Sequence, residues 1–172
     1  MLSSGTFLDS LRFRFHLARY LKVDPTSVHA NVLGEHGTSQ TFIWSSASAS
    51  GVPIFDSLEL TRPSREALRQ QIEHDVRFAN ITIIEGNQAS QYGIGIVAAR
   101  IVQAVLRDER VVVPIGAYNE KYGVTLSMPS VLGRTGVVQI LEPSMSDDER
   151  RALSRSADTL KQAFATIALH TD

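Results

Sequence analysis

The chain has 172 residues, a length that suits one domain or one large part of a two-domain enzyme. Hydrophobic residues make up 43% of it, charged residues make up 20%, and the formal net charge is -1 at pH 7, which is ordinary globular composition and excludes the basic surface of a nucleic-acid-binding protein. The chain contains no cysteine, which excludes disulfides, thiolate metal sites and cysteine nucleophiles, and we predict no metal site.

The amino-terminal third predicts one helix, two strands and two loops. The helix has Leu8, Leu11 and Phe15 on its expected apolar face, and it ends at Asp24-Pro25 because the residue before a proline avoids the helical region. The tract from 45 to 51 is small and polar, which favours a loop. The predicted elements are a helix over 6–22, a strand over 28–33, a loop over 34–39, a strand over 41–44 and a loop over 45–51.

The rest of the chain predicts three more helices and several strands. Pro63-Ser64 marks a helix start because proline is favoured in the first turn. Pro114 predicts that its strand lies at an edge or carries a bulge. Ser146 and Glu149 form an S-x-x-E capping box at the start of the last helix. The predicted elements are helices from 63, over 90–107 and from 146, strands over 111–117 and 124–128, and a turn over 133–136 followed by a strand.

These elements predict a mixed α/β chain of the α+β class, in which antiparallel sheets pack with long helices as one domain over residues 1–172. The order lacks the β-α-β alternation of a Rossmann domain. The tract 93–98, GIGIVA, does fit the G-x-G-x-x-A dinucleotide fingerprint, but it opens no βαβ unit. We interpret its glycines as sites of close helix packing.

No membrane span is predicted. The most apolar stretch, residues 94–106, contains Arg100 and is too short to cross a bilayer. The first residues, MLSSGTFLDSLRF, lack the charged and apolar regions of a signal peptide. We therefore expect a soluble, cytoplasmic protein.

Two tracts carry side chains suited to proton transfer. In GTFLDSLRFR (5–14), Asp9 and Arg12 are three residues apart and share one face of a helix. In GEHGTS (34–39), a loop flanked by glycines can present His36, whose imidazole titrates near neutral pH. Each tract alone also fits an ordinary interpretation, namely a solvated ion pair worth roughly a few tenths of a kcal/mol and a loop histidine without a task.

Together and in this order, the two tracts resemble the signature of L-lactate dehydrogenases in the lactate/malate dehydrogenase family. In that signature a G-T-x-L-D-x-x-R-F-R helix is followed by G-E-H-G-D-S and then by a tryptophan, here Trp44. The resemblance continues through residues 83–109, 111–123 and 131–162, so it covers nearly the whole chain. It implies the fold of the carboxy-terminal, substrate-binding and catalytic domain of these enzymes.

The resemblance also implies roles, position by position. His36 matches the histidine that gives a proton to the carbonyl oxygen of pyruvate and takes it back from lactate. Asp9 matches the aspartate that holds this imidazole in one tautomer. Arg12 matches the arginine that binds the substrate carboxylate through two parallel charge-assisted hydrogen bonds. Ser90 stands where a threonine lines the substrate pocket, and Ile94 stands where an apolar residue packs against the nicotinamide ring.

Other positions imply regulation or depart from the signature. Arg14 and His29 match positions that bind fructose 1,6-bisphosphate between subunits in allosteric bacterial members, and solvated surface charges are the alternative interpretation. Thr38 replaces the aspartate of G-E-H-G-D-S, which removes a negative charge near the histidine. Gln88 stands where a glycine is common, which could narrow the pocket or alter substrate preference.

The family's enzymes also carry an amino-terminal Rossmann domain that supplies most of the NAD site, a closing loop and a second arginine. The sequence begins close to the helix that bears Asp9, so we expect those parts to lie outside this chain. The expected function is the catalytic half of an L-lactate dehydrogenase, with a small 2-keto or 2-hydroxy acid as substrate, NAD as cofactor and a homo-oligomeric assembly. The alternatives are a malate dehydrogenase-type domain and a truncated, non-catalytic oligomerisation fragment.

Overall fold

A computed structural model of the chain describes residues 2–58 and 62–168, and these residues form five α-helices and two antiparallel sheets of three strands each. The helices are α1 Phe7–Leu21, α2 Arg62–Arg77, α3 Ala79–Asn87, α4 Tyr92–Leu106 and α5 Asp147–Ala168. The first sheet contains β1 Val28–Leu33, β2 Thr41–Ala49 and β3 Val52–Pro53, in that order, and the second contains β4 Val111–Asn119, β5 Val124–Gly133 and β6 Gly136–Ile140. The expected mixed fold is confirmed, and the described residues contain no βαβ unit.

Helix α1 covers the open edge of β1 through side chains spaced one turn apart. The hydroxyls of Thr6 and Ser10 donate to the carbonyl of Val32, and the Val32 amide donates back to Ser10 Oγ at 2.9 Å. One turn further on, Arg14 Nε donates to the carbonyl of Ala30 at 2.9 Å. Because an edge strand otherwise presents unpaired backbone groups, these bonds fix the helix against the sheet.

This attachment corrects the predicted apolar face of α1. Phe13 and Leu17 are fully buried, whereas Leu11 is 37% exposed and Phe15 is 50% exposed. The hydrogen-bonding side of the helix faces β1, and the side that carries Phe13 and Leu17 therefore turns into the core. Periodicity alone identifies an apolar stripe, but it cannot weigh that stripe against buried polar side chains on another face.

The apolar core consists of three clusters between the helices and the sheets. The first lies between α1, α2 and the first sheet, where Phe13 meets Trp44 edge-on with ring centroids 4.8 Å apart. The second surrounds Leu33 and Leu153, between the two sheets and α5. The third surrounds Ile115 and joins α4 to the second sheet. The apolar stripe of α2, which comprises Leu68, Ile72 and Val76, is buried in the first cluster.

Several local signals gave correct predictions. Strand β1 has the predicted bounds, and β4, which contains Pro114, is an edge strand of its sheet. Gly133 lies opposite Gly136 in the hairpin between β5 and β6. The capping box is present, because the Ser146 amide donates to Glu149 Oε2 at 2.8 Å and the Glu149 amide donates to Ser146 Oγ at 3.3 Å.

The loop predicted over 45–51 is wrong, because β2 continues to Ala49. Ala49 lies opposite Val28 in the ladder between β1 and β2. Only Ser50 and Gly51 form the turn into β3, with φ values of 48° and 85°. Small polar residues have a low strand propensity, but a paired neighbouring strand outweighs it, since this propensity depends strongly on context.

One helical segment is not predicted, and another is only partly buried. Helix α3 is not predicted by the sequence, since its apolar residues lack helical periodicity and none of its residues is buried. In α5, Leu153 and Ala157 are buried, whereas Phe164 is 71% exposed and Ile167 is 66% exposed. The apolar stripe of α5 thus extends beyond the part that packs on the sheets.

Within residues 2–58 and 62–168, no helix is long and apolar enough to span a bilayer.

Candidate active site

Asp9, Arg12 and His36 form one cluster. Asp9 Oδ2 accepts a hydrogen bond from His36 Nδ1 at 2.6 Å. Asp9 Oδ1 accepts one from Arg12 Nη1 at 3.3 Å. The predicted contact between Asp9 and His36 is therefore confirmed, and one carboxylate holds both the imidazole and the guanidinium.

Exposure differs sharply within this cluster. The side chain of Asp9 is 3% exposed, that of Arg12 is 16% exposed and that of His36 is 58% exposed. The carboxylate is therefore buried behind the imidazole. Because Nδ1 of His36 is bonded to Asp9, the other ring nitrogen, Nε2, is the one available to a bound molecule.

The attachment of α1 to β1 brings the two tracts together. Ser10, the residue after Asp9, is bonded to Val32, and the loop that carries His36 begins two residues after Val32. Asp9 therefore lies close to the end of β1, where the chain leaves the sheet. Two tracts separated in sequence meet because one helix is docked at the end of one strand.

The loop that carries His36 is anchored from two sides. Gly34 exchanges two backbone hydrogen bonds with Ser127 of β5, both of 2.9 Å. The Glu35 amide donates to Ser156 Oγ of α5 at 2.8 Å. Gly34 has a φ of +87°, and a Cβ atom there would lie 2.4 Å from Ser156 Oγ. Only glycine fits this close approach, which explains the first glycine of the tract.

The hydrogen bond with Asp9 raises the pKa of His36 above its ordinary value. Partial burial acts in the opposite direction, attraction by Asp9 and Glu35 adds to the increase, and the charge of Arg12 opposes it. The imidazolium of His36 is therefore stabilised, as a group that carries a proton near neutral pH requires.

The two departures from the signature lie at exposed positions. Thr38 is exposed in the loop after His36. Gln88 follows α3 with a φ of 62°, in the left-handed region. Glycine adopts that conformation without steric cost, which gives a physical reason why a glycine is common there. The expected effects of both residues on the pocket stay predictions.

Ser90 and Ile94 lie on a different part of the fold. Ser90 is half-buried in the connection between α3 and α4, and Ile94, in the first turn of α4, is 40% exposed. The start of α4 packs on α1, since a Cβ atom at Gly93 would lie 3.2 Å from the side chain of Leu8. The predicted close packing is therefore confirmed at Gly93 and wrong at Gly95, which faces open space. The roles of Ser90 and Ile94 stay predictions.

The predicted effector residues have unequal surroundings. Arg14 donates to the carbonyl of Ala30 at 2.9 Å and to Asn31 Oδ1 at 3.1 Å, and burial lowers the pKa of its guanidinium. It is therefore not a solvated surface charge. His29 is exposed on β1. The assignment of either residue to a phosphate group stays a prediction.

Sequence reasoning missed the residues that hold the site in place. Ser127 and Ser156 are both buried, and each bonds to a segment 121 residues away in the chain. No local pattern marks them, because a buried serine in a strand or a helix resembles any other serine in the sequence. These residues can be identified only from the packing of β5 and α5 against the first sheet.

Comparison with known proteins agrees with the geometry. The model of the family described as lactate/malate dehydrogenase, alpha/beta C-terminal domain, matches residues 6–170. The L-lactate dehydrogenase of Deinococcus radiodurans is 45% identical over 162 residues, which are 94% of this chain and 53% of that enzyme. The L-lactate dehydrogenase of Thermus aquaticus is 43% identical over 176 residues, covering 97% of this chain and 56% of that enzyme.

The fold is also similar to solved structures. The minor L-lactate dehydrogenase of Enterococcus mundtii, in a ligand-bound form, matches with a TM-score of 0.89 and 35% sequence identity. The match covers 96% of this chain and 54% of that chain. The chain therefore spans about half the length of the proteins that it matches.

Proposed function

This chain belongs to the lactate/malate dehydrogenase family, and we propose that it is the substrate-binding and catalytic half of an L-lactate dehydrogenase. The reaction is the interconversion of pyruvate and L-lactate with NADH and NAD. The observation that carries the proposal is the cluster in which buried Asp9 bonds both His36 and Arg12. The names of the relatives favour lactate over the related malate dehydrogenases.

His36 is the proposed acid and base. Its Nε2 donates a proton to the carbonyl oxygen of the keto acid and takes it back from the hydroxyl group in the reverse direction. Asp9 accepts a hydrogen bond from Nδ1. This bond fixes the orientation of the imidazole ring, and therefore of the proton on Nε2, and it stabilises the imidazolium. The raised pKa of His36, caused first by its bond to Asp9, supports this role because it keeps the donor protonated.

Arg12 is the proposed anchor for the substrate carboxylate. Its contact with Asp9 uses Nη1, and the guanidinium keeps further donors for a carboxylate. Two parallel bonds from a planar guanidinium fix orientation as well as affinity. They would hold the carbonyl oxygen at a constant position relative to His36. Ser90 is proposed to line the same pocket.

The described residues fit only a small part of an NAD site. The tract 93–98 lies inside α4 instead of at a turn from a strand to a helix, so it provides no cradle for a pyrophosphate. Exposed Ile94 suits the proposed apolar contact with a nicotinamide ring. When bound, the cofactor supplies the hydride, and the rest of its site is proposed to lie in the half of the relatives that this chain does not cover.

Residues 1–172 are proposed to form one carboxy-terminal domain of a homo-oligomer. A cytoplasmic location is proposed because a chain without cysteine suits a reducing compartment. Fructose 1,6-bisphosphate is proposed as an effector at Arg14 and His29. Arg14 is already bonded through Nε and Nη2, so it would bind a phosphate through its remaining nitrogen or after rearrangement.

The experiment joins this chain to the amino-terminal half of the Deinococcus radiodurans relative and measures NADH oxidation with pyruvate and with oxaloacetate. We expect turnover with pyruvate in the joined protein, none in the chain alone, and loss of turnover in His36→Gln. His74→Gln is the matched control, since it changes another exposed histidine, on α2, that has no proposed role in the site. Faster turnover with oxaloacetate would favour a malate dehydrogenase. A folded, NADH-binding and inactive joined protein would favour the non-catalytic fragment.

A further inference from the structure

Ser127 lies where both segments of the candidate site are attached to the second sheet. It is 2% exposed and lies in β5, the central strand of that sheet. Its Oγ accepts a hydrogen bond from the Thr6 amide at 2.9 Å. Its amide and carbonyl are bonded to Gly34. One buried residue therefore contacts both the start of α1 and the start of the loop that carries His36.

The chain before α1 passes unusually close to this hydroxyl. Gly5 has a φ of +51°, and a Cβ atom there would lie 1.9 Å from Ser127 Oγ and 2.8 Å from the Gly116 amide nitrogen. No other residue fits this position without a shift of the backbone. The first glycine of the G-T-x-L-D tract is therefore explained by the approach of the chain to Ser127.

The residues bonded to Ser127 are close in the chain to Asp9 and His36. Thr6, which is held by Ser127, lies three residues before Asp9, and Gly34 lies two residues before His36. Thr6 also donates through its own hydroxyl to the carbonyl of Val32. Ser127 thus closes a ring of hydrogen bonds that passes through the start of α1, the end of β1 and β5.

We propose that Ser127 is a positioning residue, which sets the geometry between Asp9 and His36 by tying their two segments to one point of β5. Its importance for catalysis rests on the proposed function of that pair. Removal of the hydroxyl leaves the buried Thr6 amide without its acceptor, and an unpaired buried group is costly. The start of α1 then shifts or loosens, and the short bond between Asp9 and His36 lengthens.

The test is a titration of the histidine side chains of the 172-residue chain by NMR, in wild type, Ser127→Ala and Ser130→Ala. Ser130 is the matched control, since it lies on the same strand and is fully buried, but its Oγ donates to the carbonyl of Met128 within β5. We expect the titration midpoint of His36 to lie above the ordinary value of about 6.5 in wild type and in Ser130→Ala. In Ser127→Ala we expect it to fall toward that value.

A second substitution keeps the test decisive if Ser127→Ala does not fold. Ser127→Cys fills the space with a weaker hydrogen-bond acceptor, and its midpoint is expected to lie between those of wild type and an unpaired histidine. Equal midpoints in all folded variants would overturn the proposal. An equal fall in Ser130→Ala, or a wild-type midpoint that is not raised, would overturn it as well.

The titration is independent of turnover. A joined protein that lacks lactate dehydrogenase activity contradicts the proposed function, while the midpoint of His36 still decides the role of Ser127. In an active joined protein, Ser127→Ala should move the pH profile of kcat in the same direction as the midpoint. A loss of stability alone would leave that profile in place.

Discussion

The two proposed sides of the site are built differently. Asp9, Arg12 and His36 lie on segments that are tied to the two sheets by buried hydrogen bonds and to α5 by a partly buried one. Ser90 and Ile94 lie on the connection between α3 and α4 and on the first turn of α4. Helix α3 buries none of its residues. One side is thus fixed within this chain, and the other is largely open.

The open side has an apolar surface. Tyr92 is 80% exposed, Ile96 is 69% exposed and Leu106 is 71% exposed, all on α4. The proposed proton-transfer side is therefore determined by internal contacts, whereas the proposed pocket and cofactor side has exposed apolar side chains on α4. Five predictions test this contrast.

The largest effect is expected for Asp9→Asn in the joined protein. The amide no longer holds the imidazole in the required tautomer or stabilises its protonated form, so kcat with pyruvate should fall by about 10²- to 10⁴-fold. Asp158→Asn is the control, since Asp158 is an exposed residue of α5 that pairs with Lys161. Steady-state kinetics give the result, and equal kcat values in the two variants would remove Asp9 from the mechanism.

The next effect concerns Glu149, which bonds the start of α5 to β2. Its carboxylate accepts bonds from the amides of Trp44, Ser45 and Ser146 and from the Ser45 hydroxyl. Glu149→Ala leaves the buried Trp44 amide and the partly buried donors without a partner and should cost about 1–3 kcal/mol in the free energy of unfolding. Urea denaturation measures it. Asp148→Ala is the adjacent control, with a side chain that is 91% exposed, and should change stability by less than about 0.5 kcal/mol.

The same carboxylate predicts a loss of stability in acid. Burial alone would raise the pKa of Glu149, but the hydrogen bonds donated by Ser45, Ser146 and Trp44 lower it overall. A group with a lowered folded-state pKa contributes stability above its unfolded value, and this contribution is lost as the pH falls through the folded pKa. Wild type should therefore lose stability in acid more steeply than Glu149→Gln. Parallel pH curves of the urea midpoint would contradict this.

The contribution of His36 to the free energy of unfolding should depend on pH less strongly than that of Glu149, and with the opposite sign. Because its bond to Asp9 raises the pKa of His36, its contribution to stability is fully present below the unfolded pKa, about 6.5. This contribution disappears as the pH rises through the folded pKa. The difference in urea midpoint between wild type and His36→Gln should therefore decrease across that range. A difference that grows with pH would contradict the bond between Asp9 and His36.

The smallest effect is expected on the open side. Ile94→Ala in the chain alone should change the free energy of unfolding by less than about 0.5 kcal/mol, because its side chain is already 40% exposed. Ile115→Ala, the same change at a fully buried position, should cost about 2–5 kcal/mol. In the joined protein, Ile94→Ala should instead raise KM for NADH. Equal losses of stability at the two positions would contradict the contrast.

Local sequence determined the parts of this protein whose interactions are local. The bounds of β1, the S-x-x-E cap of α5 and the hairpin at residues 133–136 follow from neighbouring residues. The two tracts around Asp9 and His36 carried the family resemblance, and with it the pairing of these residues. That pairing was predicted because residue types and their order resemble the signature, and spacing alone left it open.

Tertiary structure decided what depends on distant partners. The buried face of α1 was set by hydrogen bonds to β1, so Phe13 and Leu17 entered the core in place of Leu11 and Phe15. Strand pairing extended β2 through a tract of small residues. Ser127 meets the start of α1 across 121 residues of chain. Interactions between groups so far apart in the chain produce no periodic pattern in either segment. They can be identified only when the sheets and helices are packed together.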